Sequence, residues 1–266
     1  TAVLNADNRH CARLAAAAER SGARVLRFGT GEDADARLLS AEQREGGMVA
    51  RARILGEEVL FKIGAPGRHL ALNAVGALAS AAAAGADLAR AALGLSDWRA
   101  PEGRGARWRV RLDPLGPGGE ILVIDESYNA NPASVGAALE ALAATPVEHG
   151  VGRIARGRRI AVLGDMHELG AREAEMHAAL ALHPAMAAAD LVLTVGEKMR
   201  ALDAALPQAR NGGRFDDAEA AAARLRRLAD AGDVVMVKGS NAMRMARVVE
   251  ALKAMGRAAP ERAGEG

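Results

Sequence analysis

The sequence predicts an α/β protein whose carboxy-terminal part contains a parallel β-sheet. Four apolar runs, ILVI, IAVL, LVLTV and VVMV, lie at residues 121–124, 160–163, 191–195 and 234–237. Uninterrupted apolar runs are typical of strands that are buried on both faces. Helical patterns of about ten residues separate these runs, and that alternation predicts βαβ units. The turn-rich segment Gly94–Gly105 predicts a linker before this domain.

The region before the linker predicts a first α/β unit, residues 1–100. Its strands are expected at Thr1–Asn5, Ala23–Phe28, Ala36–Ser40, Met48–Leu55 and Glu57–Ile63. Its helices are expected at Cys11–Ser21 and, after the Pro66-Gly67 turn, at Leu70–Ala84. Because a strand pattern starts at the first residue, we expect that this domain continues upstream of Thr1.

The region after the linker predicts a second unit, residues 101–255. Its strands are expected at Trp108–Asp113, Glu120–Ile124, Arg159–Leu163, Leu191–Val195 and Val234–Val237. Its helices are expected at Ala133–Ala144, Glu173–Leu182, Glu197–Leu206, Asp217–Ala229 and Met243–Lys253. The tail, Gly256–Gly266, has the sequence GRAAPERAGEG, and this composition predicts disorder.

The composition argues against several classes of function. Half of the 266 residues are hydrophobic, so the chain can bury a core, but no apolar run approaches the roughly 18 residues of a membrane helix. The net charge is only +2 and aromatic residues are 2%, which gives little support to nucleic-acid binding. The single cysteine, Cys11, cannot form an internal disulfide, which suits a cytoplasmic protein.

Polar residues follow four of the predicted strands, at the edge where ligands bind in open α/β sheets. They are Asp125-Glu126, Gly164-Asp165-Met166, Gly196-Glu197-Lys198 and Lys238-Gly239-Ser240. A shared ligand site would explain why acids, lysines and glycines meet at one edge. Ordinary turn and capping chemistry would explain most of them equally well. The pattern alone leaves both interpretations open.

The stretch DESYNANP, residues 125–132, contains the only tyrosine of the chain. Asn131 followed by Pro132 predicts a helix N-cap with proline at the first helical position. Tyr128, Asn129 and the two acids are not needed for that cap. A planar ring beside amides and a carboxylate can hold a flat heterocycle and ribose hydroxyls. The alternative is that Tyr128 covers the start of the helix.

Three motifs of the second unit resemble the Mur ligase family: DESYNANP at 125–132, AVLGDMHELG at 161–170 and VKGS at 237–240. Two stretches of the first unit, AVLNAD at 2–7 and GRHLALN at 67–73, resemble the central domain of that family. The resemblance covers nearly the whole chain. It implies a Rossmann-like carboxy-terminal ligase domain that follows part of a central α/β ATPase domain.

The resemblance also implies a reaction. The family uses ATP and Mg²⁺ to convert a substrate carboxylate into an acyl phosphate, which an amine then attacks. GDMHELG is most similar to the branch that joins D-alanyl-D-alanine to UDP-N-acetylmuramoyl-tripeptide in peptidoglycan synthesis. A monomeric cytoplasmic enzyme is therefore expected, without nucleic-acid or membrane partners. The alternatives are another Mur-type ligase, a folylpolyglutamate-type ligase and a non-catalytic ligand-binding module.

The resemblance implies two groups of site residues. The residues expected to bind ATP are His69, Asn73, Arg104, Asp125, Glu126, Tyr128, Asn129 and Asn131. The residues expected to face the dipeptide are Asp165, Glu168, His177, Lys238 and Ser240. His69 lies one helical turn before Asn73, and a helix-start cap is its alternative role. Either Asp125 or Glu126 would meet the ribose.

The sequence departs from the family pattern at several positions. Glu126 replaces a second aspartate, Leu70 replaces a common asparagine, and Asn241 follows KGS where arginine is common. The chain contains no Gly-Lys-Ser/Thr phosphate-binding loop. We therefore expect that loop and the catalytic residues upstream of Thr1. We also expect neither ATP hydrolysis nor ligation by these 266 residues alone.

Two other motifs fail because of their context. Residues 150–155, GVGRIA, mimic a dinucleotide-binding fingerprint, but they precede a strand instead of following one. His167-Glu168 begins a zinc-protease-like string, but Ala171 stands where the second histidine is required. Histidines such as His167, His177 and His183 are more often surface residues than zinc ligands.

Overall fold

The computed structural model describes residues 1–44, 47–65, 67–98, 101–113 and 119–261. These residues form two compact units, Thr1–Arg99 and Ala100–Glu261. The division falls within the predicted linker Gly94–Gly105. Each unit has its own sheet and its own hydrophobic core.

The first unit contains a five-stranded sheet. Its strands, side by side in chain order, are β1 (Ala2–Asn5), β2 (Val25–Gly29), β3 (Ala36–Arg44), β4 (Gly47–Ile54) and β5 (Glu57–Ile63). β1, β2 and β3 are parallel, whereas β3, β4 and β5 form an antiparallel meander. All five predicted strands are present. Leu55 and Gly56, between β4 and β5, both have positive φ, which a tight two-residue hairpin favours.

One long helix packs on this sheet. The helices of the unit are α1 (Cys11–Arg20), α2 (Arg68–Ala83) and α3 (Leu88–Gly94). α2 buries Val75 and Leu78 in the same core as Phe61 of β5. α3 was not predicted, because seven residues are too few to show a helical period. It is defined instead by its N-cap, Asp87, whose carboxylate accepts from the Arg90 N–H at 2.8 Å.

The second unit contains a seven-stranded sheet. Its strands are β6 (Ala106–Arg111), β7 (Glu120–Glu126), β8 (Arg159–Gly164), β9 (Leu191–Val195), β10 (Asn211–Phe215), β11 (Val234–Lys238) and β12 (Arg257–Pro260). They lie in the order β10-β9-β8-β11-β7-β6-β12. The first five in that order are parallel, and β6 and β12 are antiparallel to their neighbours. The four predicted apolar runs therefore lie in parallel strands, as expected.

Helices cover both faces of this sheet. They are α4 (Pro132–Ala144), α5 (Glu173–Ala179), α6 (Arg200–Ala205), α7 (Ala218–Leu228) and α8 (Ala246–Lys253). On one face Leu139 of α4 shares a core with Ile124. On the other face Leu225 of α7 and Val248 of α8 share a core with Val123. Because neighbouring residues of β7 enter opposite cores, this strand is buried on both faces.

One expectation about the carboxy-terminal segment is wrong. Disorder was expected for Gly256–Gly266, but Arg257–Pro260 form β12, which pairs antiparallel with β6. Glu261 then forms ion pairs with Arg107 and Arg109 of β6. The composition of the tail alone could not predict this pairing, because the partner strand β6 and its two arginines are distant in sequence. The rest of the tail lies outside the described ranges.

One strand and the starts of two helices of the second unit also differ from the predictions. β10 was missed because its sequence, NGGRF, has no apolar run. The helix predicted from Met243 begins only at Ala246, because Arg244 has a left-handed backbone with φ 51°, which a helix cannot contain. The helix predicted from Glu197 begins at Arg200. Within the described ranges, no helix has the length and apolar character needed to cross a bilayer.

Candidate functional site

The carboxyl ends of β7, β11 and β8 lie next to one another in the second unit. The chain runs from β7 to β8, outward to β9 and β10, and returns to β11 between the first two. That reversal of strand order is the topological switch point at which open parallel sheets bind ligands. The predicted site residues Asp125, Glu126, Asp165, Lys238 and Ser240 follow or end these strands.

Asp125 is buried and its carboxylate is fully engaged. One oxygen accepts from the Ser127 N–H at 3.1 Å and from the Ser127 hydroxyl at 2.6 Å, and the other accepts from the Gly103 N–H at 2.9 Å. The Gly103 carbonyl in turn accepts from the Tyr128 N–H at 3.0 Å. Asp125 therefore holds the segment around Gly103 against the loop after β7.

Glu126 points to the opposite face and pairs with Lys238. The Lys238 ammonium lies 3.4 Å from Glu126 Oε2 and donates to the Asn129 carbonyl at 2.9 Å. Both side chains are largely buried. Burial raises the pKa of Glu126 and lowers the pKa of Lys238, and the attraction between the two charges opposes both shifts. The pair joins the end of β11 to the loop after β7.

Tyr128 is half exposed beside the same pair, with 48% of its surface accessible. The Arg104 guanidinium lies over its ring, 4.1 Å from the ring centroid, in a cation–π contact. The ring also borders a pocket of about 350 Å³, together with Gly103 and Arg244. This exposure favours a ligand-facing ring over a cover for the start of α4.

Asn131 performs the predicted capping role. Its side chain accepts from the Ser134 N–H at 2.9 Å, and the Ser134 hydroxyl accepts from the Asn131 N–H at 3.0 Å, which forms a capping box at the start of α4. Asn129 is exposed, and its side-chain oxygen accepts from the Ala130 N–H at 2.9 Å. Asn131 is thus occupied by the helix, whereas the exposed Asn129 side chain makes a local contact with its neighbour Ala130.

Asp165 is a second buried acid with structural contacts. Its carboxylate accepts from the Met199 N–H at 2.8 Å, and its own N–H donates to the Val195 carbonyl at 3.1 Å. Its carbonyl accepts from the Ser240 N–H at 3.0 Å. A Cβ atom at Gly196 would lie 2.5 Å from the Asp165 carboxylate, so only glycine leaves room for it. Asp165 therefore ties together the ends of β8, β9 and β11.

The expectation that His177 is a surface residue is wrong. It is fully buried in α5. Its Nε2 accepts from the Met166 N–H at 3.0 Å, and its Nδ1 lies 2.7 Å from the Glu173 carbonyl, to which it donates. With both ring nitrogens occupied, His177 positions the GDM loop and does not itself face a ligand. His183 is half-buried, and its Nδ1 accepts from the Ala185 N–H at 3.3 Å.

Two polar side chains follow Met166 in its loop, and they differ in exposure. Glu168 is exposed and has a left-handed backbone with φ 62°. His167 has a buried Nε2 atom that finds no hydrogen-bond partner among the described residues. Nearby, the Lys198 ammonium lies 2.5 Å from Glu173 Oε2. The sequence placed Lys198 at this edge of the sheet but did not indicate its pairing with Glu173, which lies 25 residues away.

His69 and Asn73 belong to the first unit, where both lie in α2. Asn73 is exposed, as a residue that contacts ATP would have to be. The residue that caps α2 is Gly67, with φ 124°, and the His69 ring lies close to it. Among the described residues of the chain, no group of three or more His, Cys, Asp or Glu side chains could hold a metal ion.

Two family models match the chain in succession. The model of the Mur ligase middle domain matches residues 1–81, and that of the Mur ligase glutamate ligase domain matches residues 110–241. The chain belongs to the Mur ligase family. The expected family and its α/β fold are thereby confirmed.

Individual Mur ligases show how much of the family the chain represents. The UDP-N-acetylmuramoyl-tripeptide–D-alanyl-D-alanine ligase of Escherichia coli strain K12 is 35% identical over 193 residues, which cover 72% of this chain and 38% of that protein. The UDP-N-acetylmuramate–L-alanine ligase of Mycobacterium marinum is 36% identical over 158 residues, which cover 57% and 31%. The chain thus spans well under half the length of these curated relatives.

A solved Mur ligase structure shows the same fold. The MurF ligase from Thermotoga maritima in complex with ADP has a TM-score of 0.73 to this chain at 24% sequence identity. The match covers 95% of this chain and 53% of that one. Both units of the chain therefore have counterparts in one Mur ligase.

Proposed function

We propose that this chain forms part of an ATP-dependent ligase that joins D-alanyl-D-alanine to UDP-N-acetylmuramoyl-tripeptide in the cytoplasm. The observation that carries the proposal is the exposed Tyr128 ring under Arg104, beside the buried Glu126–Lys238 pair, at the switch point of a Mur ligase domain. The name of the Escherichia coli relative, with 35% identity, supports this substrate pair.

On the nucleotide side, the residues divide by their present contacts. Tyr128 has the exposed aromatic surface that a base or ribose requires, and Arg104 adds a positive charge. Either acid would meet the ribose hydroxyls: Asp125 lines the pocket beside Tyr128 but already accepts three hydrogen bonds, and Glu126 is paired with Lys238. Asn129 would contribute its amide. His69 and Asn73 remain predicted ATP-binding residues of the first unit, and Asn131 would support the loop.

ATP would supply the phosphoryl group that activates the substrate carboxylate, with Mg²⁺ shielding its charge. The dipeptide amine would then displace phosphate. In this scheme Ser240 and Glu168 lie on the dipeptide side, and Asp165 and His177 keep their loops in place. Lys238 sets the distance between the two sides through Glu126 and Asn129.

Binding of fluorescently labelled ADP to variants of Tyr128 tests the nucleotide part. Loss of base or ribose stacking costs on the order of 1–3 kcal/mol. We therefore expect Tyr128→Ala to weaken ADP about tenfold or more, while Tyr128→Phe stays near wild type. Leu182→Ala, at an exposed side chain of the same unit, is the matched control. Equal ADP affinity of wild type and Tyr128→Ala would contradict the proposal.

A second candidate is the L-alanine-adding branch, favoured by the match to the Mycobacterium marinum ligase. The two branches differ in both substrates. We expect D-alanyl-D-alanine, and not L-alanine, to protect the protein against thermal unfolding in the presence of ADP. Protection by L-alanine alone would move the assignment to the other branch.

A further inference from the structure

Strand β5 lies at one edge of the first unit's sheet and carries exposed apolar surface. Within the described ranges β5 pairs only with β4, so its other side presents backbone N–H and C=O groups that have no strand partner. Leu60, at the centre of β5, has 68% of its surface exposed. Leu93 of α3, the helix that packs against β5, is 72% exposed. Exposed leucines beside an open strand edge indicate a contact surface.

The other three outermost strands of the two sheets are less suited to adding a further strand. β1 and β12 have four residues each, and β12 ends in Pro260, which has no N–H to donate. β10 has five residues, and its sequence NGGRF contains two glycines, which weaken a strand. β5 has seven residues and contains neither glycine nor proline. Of these four strands, β5 therefore offers the longest regular edge to a partner.

The surface beside β5 is concave and mainly apolar. A cavity of about 660 Å³ lies between β5 and α3, and its lining includes Val59, Leu60, Phe61 and Leu93. Glu58 and Lys62 border the same cavity, and both are exposed. Glu58 pairs with Arg53 of its own chain at 3.1 Å, but about half of each side chain is exposed, and such pairs contribute little. An occupant that fits this surface presents apolar side chains together with acidic and basic groups.

A second copy of β5 meets this description, because the strand is complementary to itself when two copies run antiparallel. Glu58, Leu60 and Lys62 are exposed on one face of the strand, and Phe61 and Ile63 are buried on the other. With a two-fold axis at Leu60, Glu58 of each copy lies opposite Lys62 of the other. Opposite charges in directly opposed positions stabilise antiparallel strands. A shift of two residues either way would place Leu60 opposite one of the charges, so the charges select this register.

We propose that two copies of this chain pair through β5, antiparallel about Leu60, and so join their five-stranded sheets into one. The pairing covers Leu60 of both copies, which lie opposite each other at the two-fold axis. It also brings the two α3 helices, with their exposed Leu93 side chains, to the same side of the joined sheet. This inference does not depend on which substrates the enzyme joins, and it replaces the monomer that the family resemblance implies.

The test is sedimentation velocity of the 266-residue chain at protein concentrations from about 1 µM to about 1 mM. The chain should sediment as a monomer at the lowest concentration and as a dimer at the highest. Glu58→Lys and Lys62→Glu each replace two attractive contacts of the dimer by two repulsive ones, and each should weaken the dimer about tenfold or more. The double variant Glu58→Lys/Lys62→Glu should restore the dimer, because each new lysine again lies opposite a glutamate.

The controls separate this surface from general effects of charge and hydrophobicity. Glu19→Lys makes the same charge change at an exposed position of α1 and should dimerise as wild type does. Leu60→Ser should weaken the dimer, whereas Leu14→Ser, at an exposed leucine of α1, should not. All of these side chains are exposed, so each variant should keep its fold, and circular dichroism checks this. The wild-type measurement decides between monomer and dimer even if a variant fails to fold.

Three results would overturn the proposal, and none of them bears on the ligase activity. The first is a wild-type chain that stays monomeric up to about 1 mM. The second is a dimer that all the β5 variants leave intact, because its interface would then lie on another face. The third is a loss of the dimer in both single charge variants without recovery in the double variant, which would reject the pairing about Leu60.

Discussion

The loops after β7 and after β8 lie at the same edge of one sheet but are held in different ways. After β7, Tyr128 and Asn129 are exposed, and the acid of the loop, Glu126, is paired with a lysine from another strand. After β8, Asp165 and Met166 are buried and bonded through backbone N–H groups to the next loop and to His177. One loop presents side chains, and the other is mainly scaffold.

Under the proposed function, this difference would let a single sheet edge serve two ligands. A base or ribose needs exposed flat surface, which the Tyr128 loop has. An acceptor that must meet an activated carboxylate needs groups fixed within a fraction of an ångström, which the buried contacts of the β8 loop can give. The buried Glu126–Lys238 pair lies on the boundary between these roles, so changes there should have the largest effect.

The largest expected effect is that of Lys238→Met. Removing the lysine leaves the Glu126 carboxylate buried without its cation and the Asn129 carbonyl without its donor. Breaking one side of a buried pair costs about 3–5 kcal/mol, whereas replacing both partners costs much less. The unfolding free energy of Lys238→Met, measured in urea, should therefore be well below that of wild type. The double variant Lys238→Met/Glu126→Gln should recover part of this loss.

An exposed ion pair of the same unit is the control for Lys238. Arg172 and Glu175 pair on the surface, with about two thirds of each side chain accessible. Glu175→Gln should leave the unfolding midpoint unchanged, because exposed pairs contribute little. If Lys238→Met unfolded at the same urea concentration as Glu175→Gln, the lysine would not be the link between the two loops.

The next effect concerns the scaffold loop. His177→Leu leaves the Met166 N–H and the Glu173 carbonyl without their ring partners in a buried place. Unsatisfied buried groups cost about 1–3 kcal/mol each, so we expect roughly 2–3 kcal/mol less stability. Hydrogen exchange should show the specific change, namely faster exchange of the Met166 amide. The control His149→Leu should change neither the stability nor the exchange rate of the Met166 amide. An unchanged exchange rate of that amide in His177→Leu would show that His177 does not hold the loop.

How much the sequence predicted depends on the distance over which each contact acts. β7 and β11 were predicted because Val123, Ile124 and their counterparts in β11 are apolar on both faces, which is a local signal. Placement of the polar residues at one edge followed from the rule for parallel sheets. β12 was missed because Glu261 meets Arg107 across 154 residues of sequence.

The roles within the site were harder to predict than its location. Asp125 and Glu126 are adjacent in sequence, and only the hydrogen bond from the distant Gly103 shows that Asp125 is occupied. His177 was placed at the surface because nothing in its local sequence reveals that both of its nitrogens are bonded. Asn131 was predicted correctly, since a cap followed by proline is a local pattern.

A smaller effect separates the two asparagines of the exposed loop. Asn131→Ala removes the capping box of α4 and should lower stability by about 1 kcal/mol. Asn129→Ala removes only a contact with the neighbouring Ala130 N–H and should leave stability near wild type. Thermal unfolding of both variants makes the comparison. Equal losses would mean that Asn129 supports the loop as much as the cap does.

The smallest effect is a pH dependence that the Glu126 carboxyl contributes. Burial raises its pKa in the folded state above the value of 4.5 in the unfolded chain, and Lys238 only partly opposes that rise. Between 4.5 and the higher folded pKa, the unfolded chain has lost a proton that the folded protein keeps. Stability from this group is therefore greatest below pH 4.5 and falls as pH rises through the folded pKa.

Glu126→Gln has no titrating group at this position and should lack that part of the pH profile. The measurement is the difference in unfolding free energy between wild type and Glu126→Gln, followed from acid to neutral pH. We expect the unfolding free energy of wild type to fall relative to that of Glu126→Gln as pH rises, because the charged carboxylate is desolvated in the folded state. A difference that moves in the opposite direction would mean that the attraction of Lys238 outweighs burial. The pair would then stabilise the fold as an ion pair, and the boundary between the two loops would depend on charge more than on packing.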